Sequence, residues 1–217
     1  MYELLLVMGF GYGAFRATKH RHQDVSPIPH KISNRLGKLW DIAHQGMREN
    51  RLLRAEKALL TILKIDQKNA AAYNRLGILY AKQKEYKDAI DCFEIASSIE
   101  PTASSLHNLG LIYYETENYP NAAIAFEKAL QMEGDLAARH IAYAKVQEKL
   151  GNTKLMIQEL EKAIELEPNK ESYTLLAGAY RATDAVDKAE EIEAKMQKLI
   201  VPSGVPKRIA RPKRVVV

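Results

Sequence analysis

The 217 residues hold one cysteine, Cys92, so no intramolecular disulfide can form, and the usage suits a reducing compartment. Cys92 stands beside Phe93 with no histidine near it in sequence. It reads as a small packing residue, since a reactive thiolate needs a partner base or a helix N-terminus. A phosphate-cradling loop is missing too. The glycines of Gly9-Phe10-Gly11-Tyr12-Gly13 lack both the preceding strand and the following Lys-Ser/Thr that such a loop needs. The six histidines do not assemble into a metal set. His20 and His22 flank Arg21 in a cationic stretch, with no carboxylate or cysteine to complete a site. Glu-Lys neighbours such as Glu161-Lys162 suit solvated helix faces better than acid/base work. No run alternates with the period of two that marks a half-buried strand. These absences leave an enzyme, a metal site, a cofactor site and a small-molecule substrate without a supporting constellation.

What the chain does have is a period. Small residues recur at Ala43, Gly77, Gly110, Ala144 and Ala177, spaced by 34, 33, 34 and 33 positions. Twelve positions after each comes Ala55, Ala89, Ala122, Met156 or Ala189, and four further on Leu59, Phe93, Phe126, Leu160 or Glu193. Such a period means one supersecondary unit copied in tandem, each copy burying its apolar face only against a neighbour. Gly or Ala in the first position lets two helices cross closely. The alanine twelve places on meets that crossing from the partner helix, and the aromatic or leucine on the same face fills the gap between copies. The spacing thus assigns repeat packing to Gly77, Ala89, Phe93, Gly110, Ala122, Phe126, Ala144 and Leu160. Pro101 and Pro168 are expected to stop the second helix of their copies.

The second copy reads Tyr73-x-x-Leu76-Gly77-x-x-Tyr80, then Tyr86-x-x-Ala89-x-x-x-Phe93-x-x-Ala96, closing at Pro101. The third reads Leu106-x-x-Leu109-Gly110-x-x-Tyr113, then Tyr119-x-x-Ala122-x-x-x-Phe126-x-x-Ala129. This pattern resembles the tetratricopeptide repeat, a helix–turn–helix of about 34 residues. The other copies are more worn: Leu39 and Ile42-Ala43 in the first, His140 and Tyr143-Ala144 in the fourth, Tyr173 and Leu176-Ala177 in the fifth. The resemblance implies an all-α fold, a right-handed superhelical α-solenoid of about five repeats near 36–69, 70–102, 103–136, 137–169 and 170–200. In the last copy Glu193 and Gln197 make the polar outer face that a terminal repeat needs.

Outside the solenoid at 36–200 lie an N-terminal segment, 1–35, and a tail, 201–217. Residues 1–35 carry a charge of +3 and the tail +5; with the whole chain at +5, the repeat block is left at −3. Residues 4–15 are uncharged and run at once into Arg16, Lys19 and Arg21. Twelve residues reach about 18 Å as a helix, short of the roughly 30 Å of a bilayer core. A signal peptide fits poorly, since Glu3 replaces a basic start and no small-x-small cleavage site follows. Three readings stay open for this segment: a short membrane anchor, an interfacial segment, and a helix packed on the first repeat. The apolar-to-basic switch gives the membrane readings their weight and would keep the repeats cytoplasmic. Pro27-Ile28-Pro29 then serves as a stiff linker. The tail is rich in proline and basic residues and is expected to be disordered, with anionic lipid, nucleic acid or an acidic protein as partners of matching charge.

In the resembled family the first helix of each pair lines a concave groove that holds peptides or partner helices. The matched register puts Asn74, Arg75, Ile78, Lys82, His107, Asn108, Leu111, Tyr114 and Lys145 there, with His44 and Ile141. The amide and guanidinium groups suit a peptide backbone or carboxylate, and Ile78, Leu111 and Tyr114 supply apolar contact. The family's two-carboxylate clamp does not carry over: Asn108 matches its middle asparagine, but Asn74, Ile78, Ala138 and Ala142 occupy the other positions. The function expected is a non-enzymatic scaffold or adaptor for a protein or peptide, possible also at the cytoplasmic face of an anionic membrane. The alternative is a nucleic-acid-associated protein using the basic tail.

Overall fold

A computed structural model describes residues 30–200 of the chain. Two compact units divide it, Met1–Lys38 and Leu39–Val217. Residues 4–15, the Pro27-Ile28-Pro29 linker and the tail 201–217, for which a membrane, linker or disordered role is expected, lie outside the described residues.

The described residues form ten helices, all α. In chain order they are α1 (His30–Arg48), α2 (Leu52–Ile65), α3 (Ala70–Gln83), α4 (Tyr86–Ile99), α5 (Ala103–Glu115), α6 (Tyr119–Met132), α7 (Ala137–Lys149), α8 (Thr153–Leu166), α9 (Lys170–Ala182) and α10 (Val186–Ile200). The first described helix begins at His30, directly after Pro29, ahead of position 36 where the repeat pattern places the first copy. A proline just ahead of a helix lacks only a donor that the first turn would not use.

Contacts run down the chain in order. Within each pair from α3 onward the two helices pack most closely, and each second helix then meets the first helix of the next pair. This is the α-solenoid pattern, in which each repeat leans on its neighbours alone. The apolar faces explain it. Ala89, Phe93, Leu109 and Ile112 form one buried cluster that joins α4 to α5. Ala122, Phe126, Tyr143 and Val146 do the same for α6 and α7. Met156 and Leu160 of α8 close on Leu176, Ala179 and Tyr180 of α9.

Each pair turns through one left-handed residue: Asn50, Lys84, Glu117, Gly151 and Asp184, with φ between 56° and 75°. These stand at the repeat spacing, and the next residue's N–H reaches back six positions in all five turns, inclusive of both ends: Arg51 to Gly46, Glu85 to Tyr80, Asn118 to Tyr113, Asn152 to Gln147 and Ala185 to Tyr180, at 2.8 to 2.9 Å. That is the Schellman bond, which satisfies carbonyls left over at a helix end. Glycine fills the left-handed position once, and side chains are strained there by about 1–2 kcal/mol. Glu117→Gly is therefore expected to raise stability by about 0.5–1 kcal/mol after its unfolded-state entropy is counted, and Gly151→Ala to lower it by about 1 kcal/mol. Urea unfolding of the two variants checks both signs.

The second helices ahead of Pro101 and Pro168 stop as the prolines lead one to expect. α4 and α8 end two residues before Pro101 and Pro168. Yet α2 and α6 end in the same way, with Asp66 and Glu133 extended like Glu100 and Glu167, and each cap N–H bonded four residues back. An extended acidic residue followed by a new helix start is the common stop; proline is compatible with it and not required. Three of the four new starts are capped by side chains: Asn69, Thr102 and Asn169 accept from the backbone N–H of Ala72, Ser105 and Ser172, whereas Leu136 ahead of α7 makes no such bond.

Tyrosine hydroxyls add a polar link between pairs. Tyr80 donates to Glu56, Tyr113 to Glu94 and Tyr180 to Glu161, each from a first helix to the second helix of the preceding pair. Burial, then the carboxylate that accepts the bond, pushes all three phenols up to about 12. An unfolded tyrosine ionises near 10. Above that pH the unfolded chain releases protons that the folded one retains, so stability falls as pH rises from about 10 through about 12. Below pH 10 the contribution is complete. Urea midpoints at pH 9 and pH 11 should differ more in the wild type than in Tyr80→Phe/Tyr113→Phe/Tyr180→Phe.

Candidate functional site

The first helices touch one another as well as their partners: α3 meets α5, and α5 meets α7. Their shared wall holds a cavity of about 280 Å³ between α5 and α7, with Phe126 of α6 beneath it. His107, Leu111 and Tyr114 come from α5, and Ala138, Ile141, Ala142 and Lys145 from α7. Four of the nine residues assigned to the groove therefore line one space, His107, Leu111, Tyr114 and Lys145.

Small side chains make the space. Ala142 is in register with Asn108 of α5 and Arg75 of α3, so two longer residues give way to a methyl group at this one place. Ala138, one turn earlier on the same face, leaves room beside it. Sequence reading met both alanines only as positions where the family's clamp fails, because it looked for side chains that could grip, and a cavity is defined by those that cannot reach.

The walls are mainly apolar and the rim is charged. Lys145 is ion-paired to Glu171 of α9 at 2.5 Å across the mouth. Tyr114 is braced edge-on by Tyr119, with ring centroids 5.6 Å apart. His107 stands edge-on to Phe126 at 5.3 Å, and its Nδ1 is buried without a hydrogen-bond partner. Burial lowers the His107 pKa below its ordinary value, and the positive charge of Arg139 lowers it further, so the ring is neutral at pH 7. Arg139 is 4% exposed; its guanidinium donates to the backbone oxygen and to Oε2 of Glu133, both at 2.8 Å, with Nε left unpartnered.

The remaining assigned residues lie outside this cavity. Asn108 donates to Asn74 Oδ1 at 3.4 Å, a bond between neighbouring first helices. Arg75 and Lys82 are exposed on α3, whereas Ile78 packs against the Phe93–Leu109 cluster. His44 lies against Trp40 on α1, with ring centroids 5.5 Å apart.

The residues assigned to repeat packing are all buried, and two contacts define their geometry. A Cβ on Gly77 would come within 2.7 Å of the Phe93 ring, and one on Gly110 within 2.9 Å of the Phe126 ring. The aromatic thus seats on the glycine of its own pair as well as reaching the next pair, where the sequence reading gave it the second role alone. His140, in the aromatic slot of the fourth copy, joins two segments through hydrogen bonds at 2.6 Å to Glu159 and 3.0 Å to the Gly134 carbonyl. Burial, helped by Asp88 and Asp91, pushes the Cys92 thiol up to about 11, so it carries no thiolate at neutral pH.

Three family models described as tetratricopeptide repeat match consecutive stretches, residues 70–102, 103–136 and 138–170. No curated protein matches the chain. Among solved structures, a crystal structure of MamA protein is similar at 19% identity and a TM-score of 0.71, over 80% of this chain and 98% of that one. MamA 41-end from Desulfovibrio magneticus RS-1 aligns at 16% identity with a TM-score of 0.71, over 76% of this chain and 95% of that one. Cut9-Hcn1, an APC/C hetero-tetramer, aligns at 24% identity with a TM-score of 0.59, over 65% of this chain but 29% of that one. At these identities the likeness speaks for the fold.

Proposed function

Since the chain belongs to the tetratricopeptide repeat family, we propose that it is a non-enzymatic scaffold that holds an extended segment of a partner protein against its wall of first helices and supports assembly of a complex. The observation that carries this reading is the cavity between α5 and α7. Its size and apolar walls suit a bulky side chain of the bound segment, and the Lys145–Glu171 pair and the Asn74–Asn108 amides offer polar contacts to the flanking backbone. Arg75 and Lys82 on α3 extend the polar surface away from the cavity.

Ala142→Leu places a branched side chain in this space. With a partner captured from the native host, the variant is expected to bind at least tenfold more weakly than wild type, about 1.4 kcal/mol. Arg75→Ala with Asn108→Ala should weaken binding through the polar contacts instead. Calorimetry for affinity and circular dichroism for helicity separate loss of binding from loss of fold. Affinity unchanged in both variants would remove the groove assignment.

We also place the protein at the cytoplasmic face of a membrane, on the support of the uncharged residues 4–15 and the basic residues at both ends. No helix among the described residues is long and apolar enough to cross a bilayer. Co-sedimentation with anionic and with neutral liposomes decides: equal pelleting with both would remove this placement.

A further inference from the structure

One open groove of the second unit lies away from the wall of first helices. It lies between α1 and α2, holds about 760 Å³, and has an apolar floor of Leu39, Ile42, Leu52 and Ala58 with Leu53 at its edge. Leu53 is 64% exposed, the highest value among the exposed large apolar side chains of the described residues.

The repeat register says what shape fits there. Ile42 is equivalent to Leu109, Tyr143 and Leu176, which are 7%, 8% and 1% exposed. Each of these three packs against the second helix of the pair before it: Leu109 on Phe93, Tyr143 on Phe126, Leu176 on Leu160. Among the described residues no second helix precedes α1, and Ile42 is half-buried in the groove. A helix is therefore the element that this surface is built to receive.

Charge says what kind of helix. Arg51, Arg54 and Lys57 follow one another at three-residue intervals along the groove. Arg51 is paired to Glu49 at 3.2 Å, whereas Arg54 and Lys57 are exposed and form no ion pair among the described residues. Within the array, α4 packs Ala89 and Phe93 against α5 and carries one acidic contact to it, Glu94, which accepts from Tyr113. A second copy of the chain does not supply such a helix from its own end. In α10 the position of Phe93, Phe126 and Leu160 is taken by Glu193, which Arg181 holds at 2.8 Å.

We propose that the α1–α2 groove docks an amphipathic helix of a partner protein, with an apolar stripe on Ile42 and Leu53 and acidic flanks on Arg54 and Lys57. The helix takes the place that the preceding pair's second helix takes at every later step of the array. Neither the cavity between α5 and α7 nor its residues take part, so this proposal and the preceding one fail separately.

The test uses the full chain and a synthetic stapled helix with the sequence of α4, carrying Cys92→Ala, followed by fluorescence anisotropy. The acidic peptide is expected to bind, and its affinity to fall with added salt. The charge-reversed peptide (Asp88, Asp91 and Glu94 each to Lys) should bind at least tenfold more weakly. Arg54→Glu/Lys57→Glu in the protein, both exposed, should lose the acidic peptide by the same factor and regain the reversed one. No binding of the acidic peptide, equal binding of both peptides, or no exchange of preference in the variant would each overturn the proposal. So would a tenfold gain on placing aspartate at Leu5 and Phe10, which would give the groove to the chain's own N-terminal residues.

Discussion

Truncating Phe126 to alanine is expected to destabilise the protein by about 3–5 kcal/mol, the range for an aromatic ring lost from a packed interior. The ring is fully buried. It seats on Gly110 within its own pair, meets His107 edge-on at 5.3 Å, and joins Tyr143 and Val146 of the next pair. It also floors the cavity between α5 and α7. Alanine would merge the space left by the ring with that cavity, since neither glycine nor a half-buried histidine can collapse to fill it. Because each repeat leans only on its neighbours, the damage should be local. Amide exchange is expected to rise most in α5 to α8 and least in α2 and α10, with the urea midpoint giving the total. Phe126→Leu keeps most of the volume and should cost below about 1.5 kcal/mol. A loss under 1 kcal/mol for the alanine variant would show that the ring is not the link between pairs that its contacts describe.

The repeats were legible in the sequence because their strongest constraints fall on residue type. A close helix crossing admits only Gly or Ala, and an apolar slot between helices admits only large apolar side chains, so Gly77, Ala89 and Phe93 announce themselves. The left-handed turns were not legible. Asn50, Lys84, Glu117 and Asp184 share one backbone state, yet a strain of about 1–2 kcal/mol is small enough for the array to carry on almost any side chain. The helix stops were legible in part: Pro101 and Pro168 draw attention, while Asp66 and Glu133 make the same extended cap unnoticed. The groove residues were read as a list of side chains on one helix face. Their grouping depends on Ala138 and Ala142, which carry no chemical signature, and on Phe126 beneath, which had already been assigned to packing. Half-buried His107 and buried Arg139, each with an unpartnered buried nitrogen, come from two helices and have no local pattern to find.

One regularity in the packing leads to a sharper experiment on Gly77. Across the five copies the small residue and the side chain sixteen positions later change together: Gly77 with Phe93 and Gly110 with Phe126, but Ala43 with Leu59, Ala144 with Leu160 and Ala177 with Glu193. Glycine stands where the partner is a phenyl ring, and alanine where it is not. The distances give the reason, since a Cβ on Gly77 would lie 2.7 to 2.8 Å from three atoms of the Phe93 ring. Ring atoms wedged at that distance must move, and Phe93 is 1% exposed and has nowhere to go. Gly77→Ala is accordingly expected to destabilise by about 1–3 kcal/mol, although alanine alone would favour the helix by about 1 kcal/mol. Gly178 gives the control. It has no atom within 4 Å of its added Cβ, so Gly178→Ala should show the helix preference alone and gain stability. The decisive variant is Gly77→Ala with Phe93→Leu, which installs the pairing used by Ala43 and Leu59. Each single change disturbs the crossing, and the pair restores it, so the double variant should recover most of the loss with a coupling of about 1–3 kcal/mol. Additive losses in the double-mutant cycle would mean that the glycine is held for a reason other than the ring above it.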